Sequence, residues 1–246
     1  MIASAQVWAL IRHEISVRRQ RDSEPGIGRR RWTITIPSFI LWFLVITWQG
    51  PRIHFNLNYA WYATLALPIL AMSVAASHLT YERTHNTVGW WLTLPLPRYQ
   101  LIVSKWAASL IQTVRRSTYL ATIAVLGIYT MILNGTLSFS VLSHFLLTGL
   151  TWTILMYCLV PALAALGVLS GVLTFSRFHD LTATMWLLLL VIAWLPISRP
   201  GLYLSVSRTL SVSIKPAFIL AVLVSWILAG VLLGIASRIL ARSTRM

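Results

Sequence analysis

The feature that most limits what this chain can fold into is an apolar run from Val141 to Leu173. It extends over 33 residues without an Asp, Glu, Lys or Arg. Because about 20 apolar residues cross the hydrocarbon core of a bilayer, this length predicts a membrane-spanning segment. Pro161 leaves two interpretations, one long tilted or kinked helix or two shorter spans. One span is favoured, since two would place the basic C-terminus outside, against the preference of basic residues for the cytoplasm.

Five further apolar segments accompany this run. The predicted spans are residues 32–48, 59–79, 117–133, 143–173, 181–197 and 217–237. Of the 246 residues, 57% are hydrophobic and only 10% are charged, whereas a soluble domain carries roughly 25% charged residues. We therefore predict an all-α integral membrane protein with six transmembrane helices. Residues 1–31 form a cytoplasmic N-terminal region, and residues 32–246 form a single transmembrane domain.

The basic residues orient the predicted spans. The chain carries 20 Lys and Arg against five acids. With both termini in the cytoplasm, only Arg52, Arg199, Arg208 and Lys215 fall outside, as the positive-inside rule requires. The same rule accounts for the arginine-rich N-terminus, so no nucleic-acid partner is needed to explain the net charge.

The N-terminal region has a helical pattern of its own. Apolar residues recur at spacings of three and four, namely Ala3, Val7, Leu10, Ile11 and Ile15. This periodicity favours an amphipathic helix in the cytoplasmic interface over an ordinary basic tail. A Gly- and Pro-containing hinge at residues 23–28 separates it from the first span.

Two other features concern how the spans pack. The outer segment 198–216 contains breakers and a moderately apolar centre, and a short re-entrant or interfacial helix is an option there. Two GxxxG patterns, Gly167 with Gly171 and Gly230 with Gly234, predict close helix approach. Packing within the chain is the favoured interpretation of both patterns, and a subunit interface is the alternative.

The chemistry of an enzyme is missing from the sequence. The five acids form no paired motif, the six histidines show no metal-ligand spacing, and no GxxxxGK[ST] phosphate loop is present. No ionisable residue falls deep inside a predicted span, which argues against a proton- or sodium-driven transporter. We expect no catalytic site, cofactor or metal on this chain, and an energy source on another chain.

A polar loop from Thr80 to Trp106 is the one long cytoplasmic interruption between the second and third spans. It reads Glu82-Arg83-Thr84, then Trp90-Trp91-Leu92-Thr93-Leu94-Pro95, followed by Arg98 and Lys105. Residues 101–116 continue it as an amphipathic segment, whose basic end at Arg115 and Arg116 we expect at the interface before the third span.

This loop and the six-span arrangement resemble the permease subunits of ABC-2 type transporters. The resemblance implies a coupling helix around Thr84–Leu94 that docks into a separate ATPase, which binds ATP and Mg. The residues so assigned to ATPase coupling are Glu82, Arg83, Thr84, His85, Asn86, Thr87, Trp90, Trp91, Leu94 and Pro95. It also implies a second permease chain, identical or related, and a multi-pass location in the cell membrane, of bacterial type.

Two functions remain open at the level of sequence. The first is an ATP-driven exporter of an amphipathic or hydrophobic substrate, such as a peptide antibiotic or a lipid-like molecule, in which residues 32–246 form the permease domain. The second is a non-transporting membrane scaffold or sensor whose loop docks some other cytoplasmic protein. Association with a nucleotide-hydrolysing partner distinguishes them.

Overall fold

The computed structural model describes residues 7–16, 57–85, 87, 93, 96–135, 137–174, 181–182, 184, 204–206, 212–214 and 216–243. Its first helix, α1, covers residues 7–16. The remaining elements are a 3-10 helix at Leu57–Leu65, α2 (Ala66–Thr84), α3 (Arg98–Arg116), α4 (Tyr119–Leu133), α5 (Phe139–Leu173), β1 (Leu204–Val206), β2 (Val212–Ile214) and α6 (Pro216–Ser243).

Four helical stretches among the described residues are long and apolar enough to cross a membrane. They are Ala63–Thr84, Arg98–Leu133, Phe139–Leu173 and Phe218–Ala241. The predicted span 32–48 and nearly all of the predicted span 181–197 lie outside the described residues. The six-span arrangement therefore stays a prediction, whereas the multi-pass character of the chain stands.

The long apolar run forms one continuous helix, α5, with Pro161 inside it. This single helix is what the charge distribution favoured. The C-terminal half of α5 is rich in small residues and almost wholly buried, because α2 and α6 pack against it. At Gly167 a Cβ atom would lie 2.3 Å from the carbonyl oxygen of Met72, so only glycine permits this approach. Gly171 also lies close to α2, where its Cβ would stand 2.8 Å from that of Leu79.

An aromatic cluster holds the opposite end of the bundle. The indole Nε1 of Trp61, in the 3-10 helix, donates a hydrogen bond of 3.0 Å to the carbonyl oxygen of Phe145 in α5. The two rings are 5.0 Å apart and tilted, and Met131 of α4 completes the contact. Burying these large side chains fixes the start of the second span against α4 and α5.

The second GxxxG pattern has a different environment. A Cβ atom at Gly230 or Gly234 of α6 would meet no atom of the described residues within 4 Å. Many large apolar side chains of α6 are exposed, Ile227 to 67% of its surface. Among the described residues, nothing packs against this face of α6 near Gly230 and Gly234.

The helices α3 and α4 follow each other closely along the chain. Only Ser117 and Thr118 separate the two helices, and together they qualify as one candidate span of 36 residues, Arg98–Leu133. Arg115 and Arg116 form the last turn of α3, directly before the apolar helix α4. Their expected position at the membrane interface before the third span stays a prediction.

The outer segment differs from the sequence expectation in its described part. The strands β1 and β2 pair antiparallel, with Ser205 opposite Ser213 and Val206 opposite Val212. They replace the short re-entrant helix that the sequence left as an option. Alternation of apolar residues with serine, a period of two, suits strands better than a helix.

Candidate functional site

A buried lysine joins three helices at the end of the bundle where the polar loop begins. Lys105, in the first half of α3, has no exposed surface. Its Nζ atom lies 2.5 Å from Oε1 of Glu14 in α1 and 2.8 Å from Oε1 of Glu82 in α2. A buried ammonium group is costly unless it is paired and hydrogen-bonded. The two carboxylates supply that pairing, so the ion pairs determine where α1 and α3 lie against α2.

A histidine completes this group. Nδ1 of His78, in α2, lies 3.3 Å from Oε2 of Glu14, so both carboxylate oxygens of Glu14 are engaged. We call Glu14, His78, Glu82 and Lys105 the ionic cluster. Within the cluster, two carboxylates face one ammonium group.

Glu14 is the most strongly perturbed acid of the cluster. Burial by itself would raise the pKa of its carboxyl group, because the charged form loses water. The hydrogen bond from His78 and the positive charge of Lys105 outweigh burial and lower the pKa of Glu14 to about 2. Glu14 is therefore ionised at neutral pH and bound to the body of the bundle as an anion.

Apolar contacts support the same attachment of α1. Ile11 is buried, and Leu10 packs against the main core formed by α2, α3, α5 and α6. On the other side of α1, the guanidinium of Arg12 lies over the exposed ring of Trp8, 5.9 Å from its centroid. Glu14 thus belongs to the docked face of α1, and Trp8 and Arg12 to the exposed face.

The first residues of the polar loop are also fixed to the cluster. The hydroxyl of Thr87 donates a hydrogen bond of 2.9 Å to Oε2 of Glu82, and its backbone N–H donates one of 3.0 Å to the carbonyl of Glu82. Nη1 of Arg83 donates to the carbonyl of Thr174, at the end of α5, over 2.9 Å. Glu82 therefore contacts Lys105 through one oxygen and the loop through the other.

The structure describes only part of the predicted coupling loop. Glu82, Arg83 and Thr84 form the last turn of α2, and His85 follows in a turn, its ring 3.9 Å from that of Tyr81. The residues assigned to ATPase coupling that lie outside the described part are Asn86, Trp90, Trp91, Leu94 and Pro95. The coupling helix around Thr84–Leu94 therefore stays a prediction.

Sequence reasoning missed three members of the cluster. Glu14 and Lys105 are 91 residues apart, and His78 was counted only among the six histidines without metal-ligand spacing. One signal was available in each helix. Glu14 follows Leu10 and Ile11 at helical spacing, and Lys105 follows Leu101 and Ile102 in the same way. A charge on the apolar face of an amphipathic helix requires a buried counter-charge.

One comparison with known families gives a match. A sequence profile described as "ABC-2 family transporter protein" matches residues 11–240, which include α1 from Ile11 onward and every other described element up to Leu240 in α6. No curated protein and no solved structure matches the chain.

Proposed function

Because this chain belongs to the ABC-2 transporter family, it is a membrane permease of an ABC transporter, and we propose that it serves as an exporter. In this proposal it moves an amphipathic or hydrophobic substrate outward across the cell membrane. A separate ATPase, carrying ATP and Mg, supplies the energy. A second permease chain, identical or related, completes the pathway.

The ionic cluster is the observation that supports energy input through the polar loop. Glu82 lies where the loop leaves α2, and Lys105 lies 23 residues later, beyond the point where the loop enters α3. Their ion pair closes the base of the loop. Glu14 forms a second ion pair with Lys105, and this pair attaches α1 to α2 and α3. A push on the loop by a closing ATPase then moves the ends of α2 and α3 together with α1, as one unit.

Tilting of these helices reaches the rest of the bundle through close packing. The contact of α2 with Gly167 and Gly171 leaves little room for sliding, and packed interiors transmit displacement because they are nearly incompressible. In this proposal, the apolar face of α6 that is exposed among the described residues packs against a second permease chain or lipid.

Association with an ATPase tests the proposal. The tagged permease is purified from its native membrane in mild detergent, and nucleotide hydrolysis in the eluate is measured. We expect a nucleotide-hydrolysing protein to co-purify, and its activity to depend on the permease. Replacing residues 87–92 by Gly-Ser repeats should abolish that dependence without affecting membrane insertion.

A matched control is Arg12→Gln, which alters an exposed cation on α1 outside the cluster. It should leave the hydrolysis rate unchanged. If no nucleotide-hydrolysing protein binds, the exporter proposal fails and a scaffold or sensor that docks another cytoplasmic protein becomes the better account.

A further inference from the structure

The helix α1 carries a cationic and aromatic side that points away from the bundle. The exposed residues of this helix are Trp8, Ala9, Arg12, His13 and Ser16. They recur at spacings of three and four, so they share one side of the helix. The one acid within residues 7–16 is bound to the bundle on the docked side. The exposed face of α1 therefore combines a guanidinium and an indole without a carboxylate of the same helix beside them.

The apolar side of α1 is already occupied by protein. Ile11 is only 7% exposed, and Leu10 packs against the main core. An interfacial helix normally buries its apolar side at the boundary between lipid headgroups and acyl chains. In this chain that side faces the bundle, so contact with lipid is left to the exposed face.

The helix α1 lies at the end of the bundle where candidate spans end. Through the ionic cluster, Glu14 joins Glu82, and the candidate span that contains Glu82 ends two residues later at Thr84. The main core, on which α1 packs, also contains Leu173 and Leu240, the last and next-to-last residues of two other candidate spans. Lipid headgroups lie where the spans leave the hydrocarbon core. The exposed face of α1 is therefore at headgroup level.

Trp8 and Arg12 form the centre of this face. The side chain of Trp8 is 53% exposed, and the guanidinium of Arg12 lies over its ring, 5.9 Å from the centroid. Tryptophan is enriched at the headgroup level of membranes, because its ring is apolar and its N–H is polar. Arginine binds phosphate through paired hydrogen bonds. Together the two side chains suit a phospholipid headgroup and the beginning of its acyl chains.

An open cavity lies against the same side chains. Its volume is about 420 Å³, and the described residues that line it are Trp8, Ala9, Arg12, His13 and Ser16. Ligand sites typically have volumes of roughly 300–1,000 Å³. The cavity therefore leaves room beside Arg12 for a bound polar group.

The sequence around α1 favours an anionic lipid over a neutral one. Residues 1–31 contain seven arginines and three acids. One of these acids, Glu14, is bound to Lys105. Basic residues close to a membrane surface attract anionic lipids, by a factor of about five in affinity for each residue. This excess of positive charge selects the headgroup that carries a net negative charge.

We propose that the exposed face of α1 binds the headgroup of an anionic phospholipid, with the phosphate on Arg12 and the glycerol region against Trp8. The site goes beyond the proposed function, because this lipid belongs to the surroundings of the permease and is not the transported molecule. The cationic and aromatic side of the helix then meets the lipid, and its apolar side meets the protein.

Photocrosslinking of the full-length permease, without ATPase or nucleotide, tests the site. The permease is held in phosphatidylcholine nanodiscs that contain a trace of phosphatidylglycerol with a photoactivatable diazirine on its headgroup. After illumination, peptic peptides are analysed by mass spectrometry. We expect the peptides that cover residues 7–16 to be labelled. Absence of label from these peptides would overturn the proposal.

Competition decides whether the charge of the headgroup is recognised. Nanodiscs enriched in unlabelled phosphatidylglycerol should lose the label from residues 7–16, and nanodiscs enriched equally in neutral phosphatidylethanolamine should keep it. Equal loss with both lipids would overturn the proposal, since the contact would not depend on charge. Soluble glycerol phosphate should leave the label in place. Displacement by this compound would assign the face to a free anion and overturn the binding of lipid.

Two variants and a control locate the binding. Arg12→Gln should lower the labelling of residues 7–16 about five-fold, because one basic residue is removed from the anionic surface. Trp8→Ala should lower it several-fold. The control Arg115→Gln, which removes an exposed cation from α3, should keep the parent level. Parent-level labelling in the double variant of Trp8 and Arg12 would overturn the proposal.

The docking of α1 is checked in the same double variant. Because both side chains are exposed, amide hydrogen exchange of residues 7–16 in pure phosphatidylcholine nanodiscs should match the parent protein. If α1 detaches, the competition experiment on the parent protein decides the matter.

Failure of this site and failure of the exporter proposal give different results. Labelling is measured on the permease alone, whereas the exporter proposal depends on a nucleotide-hydrolysing partner. A micelle of neutral detergent lacks anionic headgroups, so the complex with Arg12→Gln is still expected to hydrolyse nucleotide at the parent rate in the detergent eluate.

Discussion

Replacing Lys105 by methionine is the sharpest perturbation of the ionic cluster. Methionine preserves most of the side-chain volume and removes the charge. The parent lysine is wholly buried and lies 2.5 Å and 2.8 Å from two carboxylates. Removing one partner of a buried ion pair costs about 3–5 kcal/mol, because an uncompensated charge is left inside. Here two carboxylates remain, with His78 as their nearest basic neighbour.

This loss should appear first in the docking of α1. The helix is short and is held by Glu14 together with Leu10 and Ile11. A penalty of about 3 kcal/mol shifts the docking equilibrium more than a hundred-fold. We therefore expect the amide hydrogens of residues 7–16 to exchange much faster in Lys105→Met, while those of α5 stay protected.

Amide hydrogen exchange followed by mass spectrometry, on protein in nanodiscs, measures both regions at once. The control Arg12→Met removes an exposed cation from α1 and should change stability by less than about 0.5 kcal/mol. Adding Glu14→Gln to Lys105→Met should recover part of the loss, since one buried charge is then removed. Unchanged exchange of α1 in Lys105→Met would refute the role assigned to the cluster.

The remaining predictions concern pH, helix packing and the loop. Since the pKa of Glu14 is lowered from 4.5 to about 2, its contribution of about 3 kcal/mol is complete above pH 4.5 and disappears as pH falls towards 2. The protection factors of the amides of residues 7–16, which correct exchange for the intrinsic effect of pH, should fall over that window, and constant protection factors from pH 4.5 to 2 would contradict this. Gly167→Ala should lower the thermal unfolding temperature markedly, because the Cβ atom would stand 2.3 Å from a backbone oxygen, whereas Gly230→Ala, with open space around it, should keep or raise it; equal effects would contradict the packing described here. Thr87→Val should leave folding intact and reduce permease-dependent nucleotide hydrolysis, because the loop loses its hydrogen bond to Glu82.

The apolar spans were readable from the sequence, because their signal is local. An uncharged apolar run as long as Val141–Leu173 is typical of a membrane-spanning helix. The amphipathic spacing in the N-terminal region likewise predicted a helix, and the structure has one at residues 7–16. These inferences depend only on neighbours along the chain.

The site was not readable in the same way, because it depends on contacts distant in sequence. Nothing local indicates that Glu14 meets Lys105, and a charge rule that assigns every basic residue to a boundary hides the burial of Lys105. The two strands Leu204–Val206 and Val212–Ile214 were missed for a related reason. Each strand has only three residues, so its alternation of apolar and polar residues is too short to distinguish a strand from a short apolar helix.

The most direct test of the account is nucleotide hydrolysis by the reconstituted complex with Glu14→Gln in the permease. This variant removes the anion that attaches α1 to Lys105 and leaves the loop and Glu82 unchanged. The account predicts that the ATPase still binds, that residues 7–16 exchange faster, and that the permease no longer modulates the rate of hydrolysis. Parent-like modulation in a variant whose α1 has detached would contradict the claim that the ionic cluster couples the loop to the helices.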